Sequence, residues 1–253
     1  MVKSVVLIVL LVCMATSVFA APDCKNLPSD SQLRSAMQAS ASSIPCAANC
    51  VGGLFQGQRM WGAIVNRDGE ICAFTATTAD PTQVWPGSQA IAKAKAYTAN
   101  AFSLDSLPLS TANLYTFTQP GHSLWSLGQS NLWNPKFTEP PDAEGKGGKG
   151  GNQQIAGGLI FFGGGVPLYK DGKIVGGLGI SGDTSCADHE IAKRTRNNLS
   201  LNPPAGATAD DIVYSPPDAA SVFAHPQCLN TWRNGTKLAN EKPESYPPGP
   251  PTP

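Results

Sequence analysis

The chain has 253 residues, and its 18 basic and 18 acidic side chains cancel to a formal charge of zero, which leaves no electrostatic footprint for nucleic acid. Charged residues make up only 14%, while Gly (26) and Pro (22) are abundant, a mixture that suits a loop-rich extracellular domain better than a long-helix one. The length suits one large or two small domains.

The first twenty residues read as a signal peptide. Lys3 gives a short positive start, Val5 to Val12 an unbroken apolar run, and Val18-Phe19-Ala20 the small residues at which cleavage is expected. That run is well short of the ~20 residues a membrane span needs, and no later segment is apolar for long enough. The mature chain is therefore expected to be secreted, or periplasmic in a bacterium, without a membrane span. Cys13 leaves with the signal peptide, and Cys24, Cys46, Cys50, Cys72, Cys186 and Cys228 remain. An even set in an oxidising compartment reads as disulfides, with fifteen pairings open. The Cys46–Cys50 spacing also suits a metal, but no histidine lies close to it in sequence. Asn198-Leu199-Ser200 and Asn234-Gly235-Thr236 are glycan acceptor sequences in a eukaryotic host.

Ser29 and Asp30 open a first helix, with Leu33, Ala36, Met37, Ala41 and Ile44 at three- and four-residue steps, ending at Pro45. Residues 61–66 and 71–75 flank Arg67-Asp68-Gly69-Glu70 and read as a β-hairpin, since Asp-Gly supplies the conformations a tight turn requires. Pro86-Gly87-Ser88 opens an alanine-rich second helix through Ile91, Ala94, Thr98 and Phe102, with Ser88 as its cap. A short helix is expected over 110–118, broken by Pro120-Gly121, with His122 just beyond. Residues 134–154 are rich in Gly, Lys and Pro and read as a mobile loop; the spacing of a phosphate-binding loop is absent. A second hairpin spans 158–169 and 174–180 around Lys170-Asp171-Gly172-Lys173. A third helix starts at Asp183 or Thr184 and runs to Leu199. Hairpins alternating with helices imply an α/β (α+β) domain over 21–232, a mostly antiparallel sheet covered by helices. A Pro-rich, disordered tail over 233–253 follows it.

Gly177-Leu178-Gly179-Ile180-Ser181-Gly182 matches the dinucleotide fingerprint, but the strand before it is paired in a hairpin and no acidic residue follows at the required distance. The glycines read instead as sites of close helix-on-sheet packing or close ligand approach. Ser181, Gly182 and Asp183 form a turn at a helix N-terminus, where unpaired N–H groups favour an anion. Asp188 shares a helical face with Ile191, Ala192 and Thr195 and is expected to face the core or a pocket. His189 lies on an adjacent flank with Lys193 and Arg196. Adjacent helical residues diverge by about 100°, so Asp188 and His189 alone do not make a catalytic dyad. With only His122, His189 and His225 in the chain, a closed zinc site of histidines is poorly supported, and no Gly-x-Ser-x-Gly elbow marks a serine hydrolase.

Several motifs stand in an order that resembles the GlcG/HbpS-like family of haem-binding and haem-degrading proteins. They are Asn66-Arg67-Asp68-Gly69, Trp85-Pro86-Gly87-Ser88, Lys93-Ala94, residues 98–102, residues 110–115, residues 163–169 and residues 175–182. The Ser-Gly-Asp-Thr-Ser-Cys-Ala-Asp-His run over 181–189 and His225-Pro226-Gln227-Cys228 are similar to exported bacterial members. The resemblance implies a profilin-like domain with a five-stranded antiparallel sheet and flanking helices, often self-assembling into homo-oligomers. It also implies the pairings Cys186–Cys228, Cys24–Cys72 and Cys46–Cys50.

Three functions follow as expectations. The first is binding of haem or a related tetrapyrrole, assisting haem breakdown or iron handling. His189, then His122, are its iron-ligand candidates beside Met60, Tyr97 and Tyr115, and Lys93 and Arg196 would meet the propionates. The second is an extracellular, non-catalytic interaction or sensory module. The third is an enzyme acting on a small hydroxy acid, with the carboxylate held at Ser181, Gly182 and Asp183 and a proton moved by Asp188 or His189.

Overall fold

A computed structural model describes residues 24–135 and 154–240. The expected signal peptide, most of the Gly/Lys-rich loop and the final thirteen residues lie outside the described residues.

Ser29 caps helix α1 (Asp30–Ser40) in a reciprocal capping box with Gln32. Leu33, Ala36 and Met37 form its buried stripe. The helix ends at Ser40 rather than Pro45: Ala41 is already extended, and Ile44 is 60% exposed and so lies off the apolar face. Strands β1 (Trp61–Asn66) and β2 (Ile71–Ala76) form the first hairpin. Helix α2 (Gly87–Ala101) begins after Pro86 without a side-chain cap, so Ser88 is its second residue and not its cap. In place of the expected helix over 110–118, two 3₁₀ turns run over Thr111–Leu114 and Thr116–Thr118. Strands β3 (Gly165–Lys170) and β4 (Lys173–Ser181) form the second hairpin, with Asp171 and Gly172 both at positive φ in its turn. Thr184 caps helix α3 (Ser185–Asn198).

The sheet is wholly antiparallel with order β2-β1-β4-β3. It has four strands among the described residues, not the five that the resemblance implies. A separate ribbon of β5 (Trp232–Arg233) and β6 (Thr236–Lys237) lies where a disordered tail is expected to begin. Arg233 pairs with Asp218 and Asn234 with Asp211, which ties the ribbon to the domain.

Alternation along the central strands separates two cores. Ile64, Leu178 and Ile180 pack with Leu33, Met37 and Ile191 from α1 and α3 on one face. Trp61, Ala63, Val65 and Phe74 pack with Ala92 and Ala96 from α2 on the other, where the Trp61 and Phe74 rings stack at 5.2 Å. Each fully buried Ile, Leu or Phe contributes about 1.5–3 kcal/mol. Gly177 and Gly179 face α2: a Cβ on either would run into the Ala96 or Ala92 carbonyl oxygen. The glycine fingerprint is thus a packing device, which seats a helix directly on a strand. Disulfides Cys24–Cys72, Cys46–Cys50 and Cys186–Cys228 join the N-terminal segment to β2, close a short loop, and fasten the C-terminal segment to the start of α3.

Candidate functional site

The turn from β4 into α3 is filled by the chain's own carboxylates. Asp183 accepts hydrogen bonds from the backbone N–H groups of Leu54 and Phe55 at 2.7 Å each and from that of Thr184. Asp188 Oδ1 accepts from the Asp183 N–H at 2.9 Å, while its Oδ2 meets Lys95 Nζ at 2.7 Å. Ser181, Gly182 and Asp183 are all buried. The anion-favouring helix start is therefore satisfied internally, and the turn locks the segment around Leu54 to the sheet. Burial drives the Asp188 carboxyl up to about 7 against the opposing pull of Lys95, and burial drives the Lys95 ammonium down.

His189 is buried, with Nε2 at 3.5 Å from Asp211 Oδ1, and neither ring nitrogen has a hydrogen-bond partner. Asp211 also receives Lys193 Nζ at 2.8 Å, and Lys193 reaches Glu190 at 3.2 Å and Asn234 Oδ1 at 2.6 Å. His189 and Lys193 together hold the Asp211 carboxyl well below the usual range in spite of its burial. The phenol of Tyr214, completely buried, lacks a partner too, and burial raises its pKa. Arg196 is fully buried in a two-pronged pair with Asp210 and also donates to the Pro167 and Ala207 carbonyl oxygens. It is a structural cation, not one facing a ligand. Lys93 is buried with its ammonium 4.1 Å from the centre of the Phe74 ring.

His225 sits beside the Cys186–Cys228 disulfide. Its Nδ1 meets the Pro226 carbonyl oxygen at 2.7 Å and its Nε2 accepts the Gly163 N–H at 3.2 Å. His122 is exposed, on a loop closed by the Leu124 N–H to Phe117 carbonyl bond at 2.9 Å and flanked by exposed Leu124 and Trp125. Phe117 packs edge-on against Phe223, whose neighbour Val222 is 58% exposed. The structure thus brings Asp188 to Lys95 and His189 to Asp211, while Arg196 is paired with Asp210, Lys93 lies over Phe74 and His122 stands on an exposed loop. Met60 is core, Tyr97 hydrogen-bonds Asn131, and Tyr115 stacks on His225.

Clefts on the described surface include the following two. One, of about 650 Å³, is polar, lined by Ser40, Asn49, Glu190, Lys193 and both acceptor asparagines, Asn198 and Asn234. The other, of about 230 Å³, lies between Phe55, Arg59, Trp85 and Gly182, with Arg59 over the Phe55 ring. Neither is lined by His, Met, Cys or Tyr. Lys95, Asp210 and Asp211 carry no local sequence signal beyond being charges in a chain poor in them, with Asp210-Asp211 running directly into apolar Ile212-Val213-Tyr214.

An antiparallel sheet with α2 on one face and α1 and α3 on the other defines a small α+β domain. The family model described as "Haem degrading protein HbpS-like" matches residues 46–196. The chain belongs to that HbpS-like family. Among solved structures it is similar to Klebsiella pneumoniae protein ORFY, at 20% identity over 67% of this chain and 86% of that one, with a TM-score of 0.45. It is similar to PduOC in its haem complex at 23% identity over 68% and 93%, with a TM-score of 0.45. It is also similar to HbpS at 18% identity over 67% and 87%, with a TM-score of 0.40. No curated protein matches the sequence.

Proposed function

We propose that this chain is an exported haem-binding protein that assists haem breakdown or iron handling. The observation that carries the reading is membership, across the central domain, of a family described as haem degrading. Haem requires an imidazole or comparable ligand, apolar surface and a place for two carboxylates. His122 meets the first two needs: it is the one histidine of the three with an exposed ring, and Leu124, Trp125 and the Phe117–Phe223 pair supply apolar and aromatic surface around its loop. His189 on α3 is 1% exposed, and His225 is 3% exposed beside the Cys186–Cys228 disulfide. With Lys93 and Arg196 turned inward, the propionates are left to solvent. The bound group supplies the iron-centred chemistry, and the chain's part is to ligate and cover it.

Self-assembly and glycosylation belong to the same proposal. Glycans on Asn198 and Asn234 would border one cleft. Retention of the purified protein on haemin-agarose, released by free haemin, tests the function, and passage straight through the resin overturns it. The exposed Trp125, Val222 and Phe223 side chains also suit a protein-contact module. A protein that ignores haemin yet assembles through that patch would establish this second reading.

A further inference from the structure

The sulfurs of Cys186 and Cys228 and a ring nitrogen of His225 lie within 4.8 Å of one another, and all three residues are buried. His225 is built as a ligand. The Pro226 carbonyl at 2.7 Å fixes Nδ1 as an N–H, so Nε2 carries the lone pair, and it is held only by a 3.2 Å contact from the Gly163 N–H. A backbone carbonyl holding one imidazole nitrogen is the arrangement that orients a metal-binding histidine.

His189 follows Cys186 by three residues on α3, so the two share a helix face. Both of its ring nitrogens are without hydrogen-bond partners in a fully buried side chain. Asp211, 3.5 Å from Nε2, stands where a carboxylate supports a ligating imidazole and leaves Nδ1 for a metal. In sequence the chain thus carries Cys186-x-x-His189 and His225-x-x-Cys228 as mirrored pairs.

We propose that opening the Cys186–Cys228 disulfide creates a site for a zinc-class cation, made of two thiolates and the imidazole of His225 with His189 of α3 drawn in as the fourth ligand, and that re-forming the disulfide expels the cation. Two sulfurs and the His225 nitrogen lie within 4.8 Å of one another, and with a second imidazole they make up the donor set of closed tetrahedral zinc sites. In the forward direction a dithiol donates two electrons and two protons. The S–S bond breaks, two thiols form, and the reductant ends as a disulfide. The cation then displaces both thiol protons to solvent. In reverse, a disulfide oxidant removes two electrons from the two thiolates and takes up two protons. The S–S bond re-forms and the cation leaves.

Cobalt(II) is the probe, titrated into the full chain after reduction and removal of the dithiol. The expected result is one equivalent bound, with the visible bands of tetrahedral cobalt and a thiolate-to-cobalt charge-transfer band, bleached by added zinc. The oxidised chain shows none of these. The double variant Cys46→Ser/Cys50→Ser retains the bands and Cys228→Ser loses them. His225→Gln keeps the disulfide, so it folds before reduction, and it then weakens cobalt by about tenfold or more with an altered spectrum. Uptake by the oxidised chain, uptake that survives Cys228→Ser, loss in the Cys46/Cys50 variant, an unchanged His225→Gln, or a reduced chain that takes no cobalt would each overturn the site.

Discussion

Lys95 Nζ and Asp188 Oδ2 meet at 2.7 Å with side chains 0% and 2% exposed. Lys95 comes from α2 and Asp188 from α3, and the ammonium also donates to the Ile180 carbonyl oxygen at 3.0 Å and lies over the Phe162 ring. The pair thus clasps the helices of opposite sheet faces at the end of β4. Removing one partner strands a buried charge without its counter-ion. Lys95→Met is expected to lower stability by about 3–5 kcal/mol, whereas Lys95→Met/Asp188→Leu recovers most of the loss. Chemical denaturation of the two variants beside the parent protein reads the difference. Equal losses in both would show that the pair is not the cause.

Gly179 and Gly87 make opposite predictions for the same substitution. A Cβ at Gly179 runs into the Ala92 carbonyl oxygen on α2, while one at Gly87 meets nothing within 4 Å. Gly179→Ala is expected to cost about 1–3 kcal/mol or more through overpacking. Gly87→Ala, at an open helical position, is expected to be neutral or to stabilise by about 0.5–1 kcal/mol. Melting temperatures of the two variants check the packing of α2 on β4 directly.

The pH dependence of stability should carry the signature of His225. Burial holds its pKa down at about 3, opposed by the Pro226 carbonyl and assisted by the proximity of His189 on α3 and Lys95 on α2. In the unfolded chain the imidazole takes up a proton near pH 6.5, at the ordinary value. The unfolded state therefore binds more protons between these values, and stability is full above about pH 6.5 and falls as the pH drops toward 3. The slope from this one group approaches about 1.4 kcal/mol per pH unit. Thermal melts of the oxidised protein across that window should show His225→Gln losing stability less steeply than the parent.

Local order in this fold is legible in its sequence. Three- and four-residue steps mark the buried stripe of α1, Asp-Gly pairs mark both hairpin turns, and Ser29 and Thr184 stand where two helices begin. Long-range pairing is not legible. Lys93 reads as a partner for a ligand's carboxylates and Lys95 carries no signal of its own, yet both are buried, because the sheet and the Gly163–Gly165 segment close over α2. Arg196 reads as a ligand-facing cation, and only folding brings Asp210 to it from across the Ser200–Ala209 turn region. Asp188 and His189 are adjacent and both inward, but each finds a different partner, Lys95 for one and Asp211 for the other. The anion site suggested by the Ser181–Asp183 turn vanishes for a similar reason, since the carboxylates that fill it belong to the chain itself.

The most direct test of the functional account is an absorbance titration of haemin into the parent protein, His122→Ala and His189→Ala. A haem protein ligated through the exposed loop gives a saturable Soret shift in the parent, the same shift in His189→Ala, and a much weaker or displaced band in His122→Ala. A parent protein whose haemin spectrum matches free haemin contradicts the account, and an unaltered spectrum in His122→Ala contradicts the assignment of its ligand.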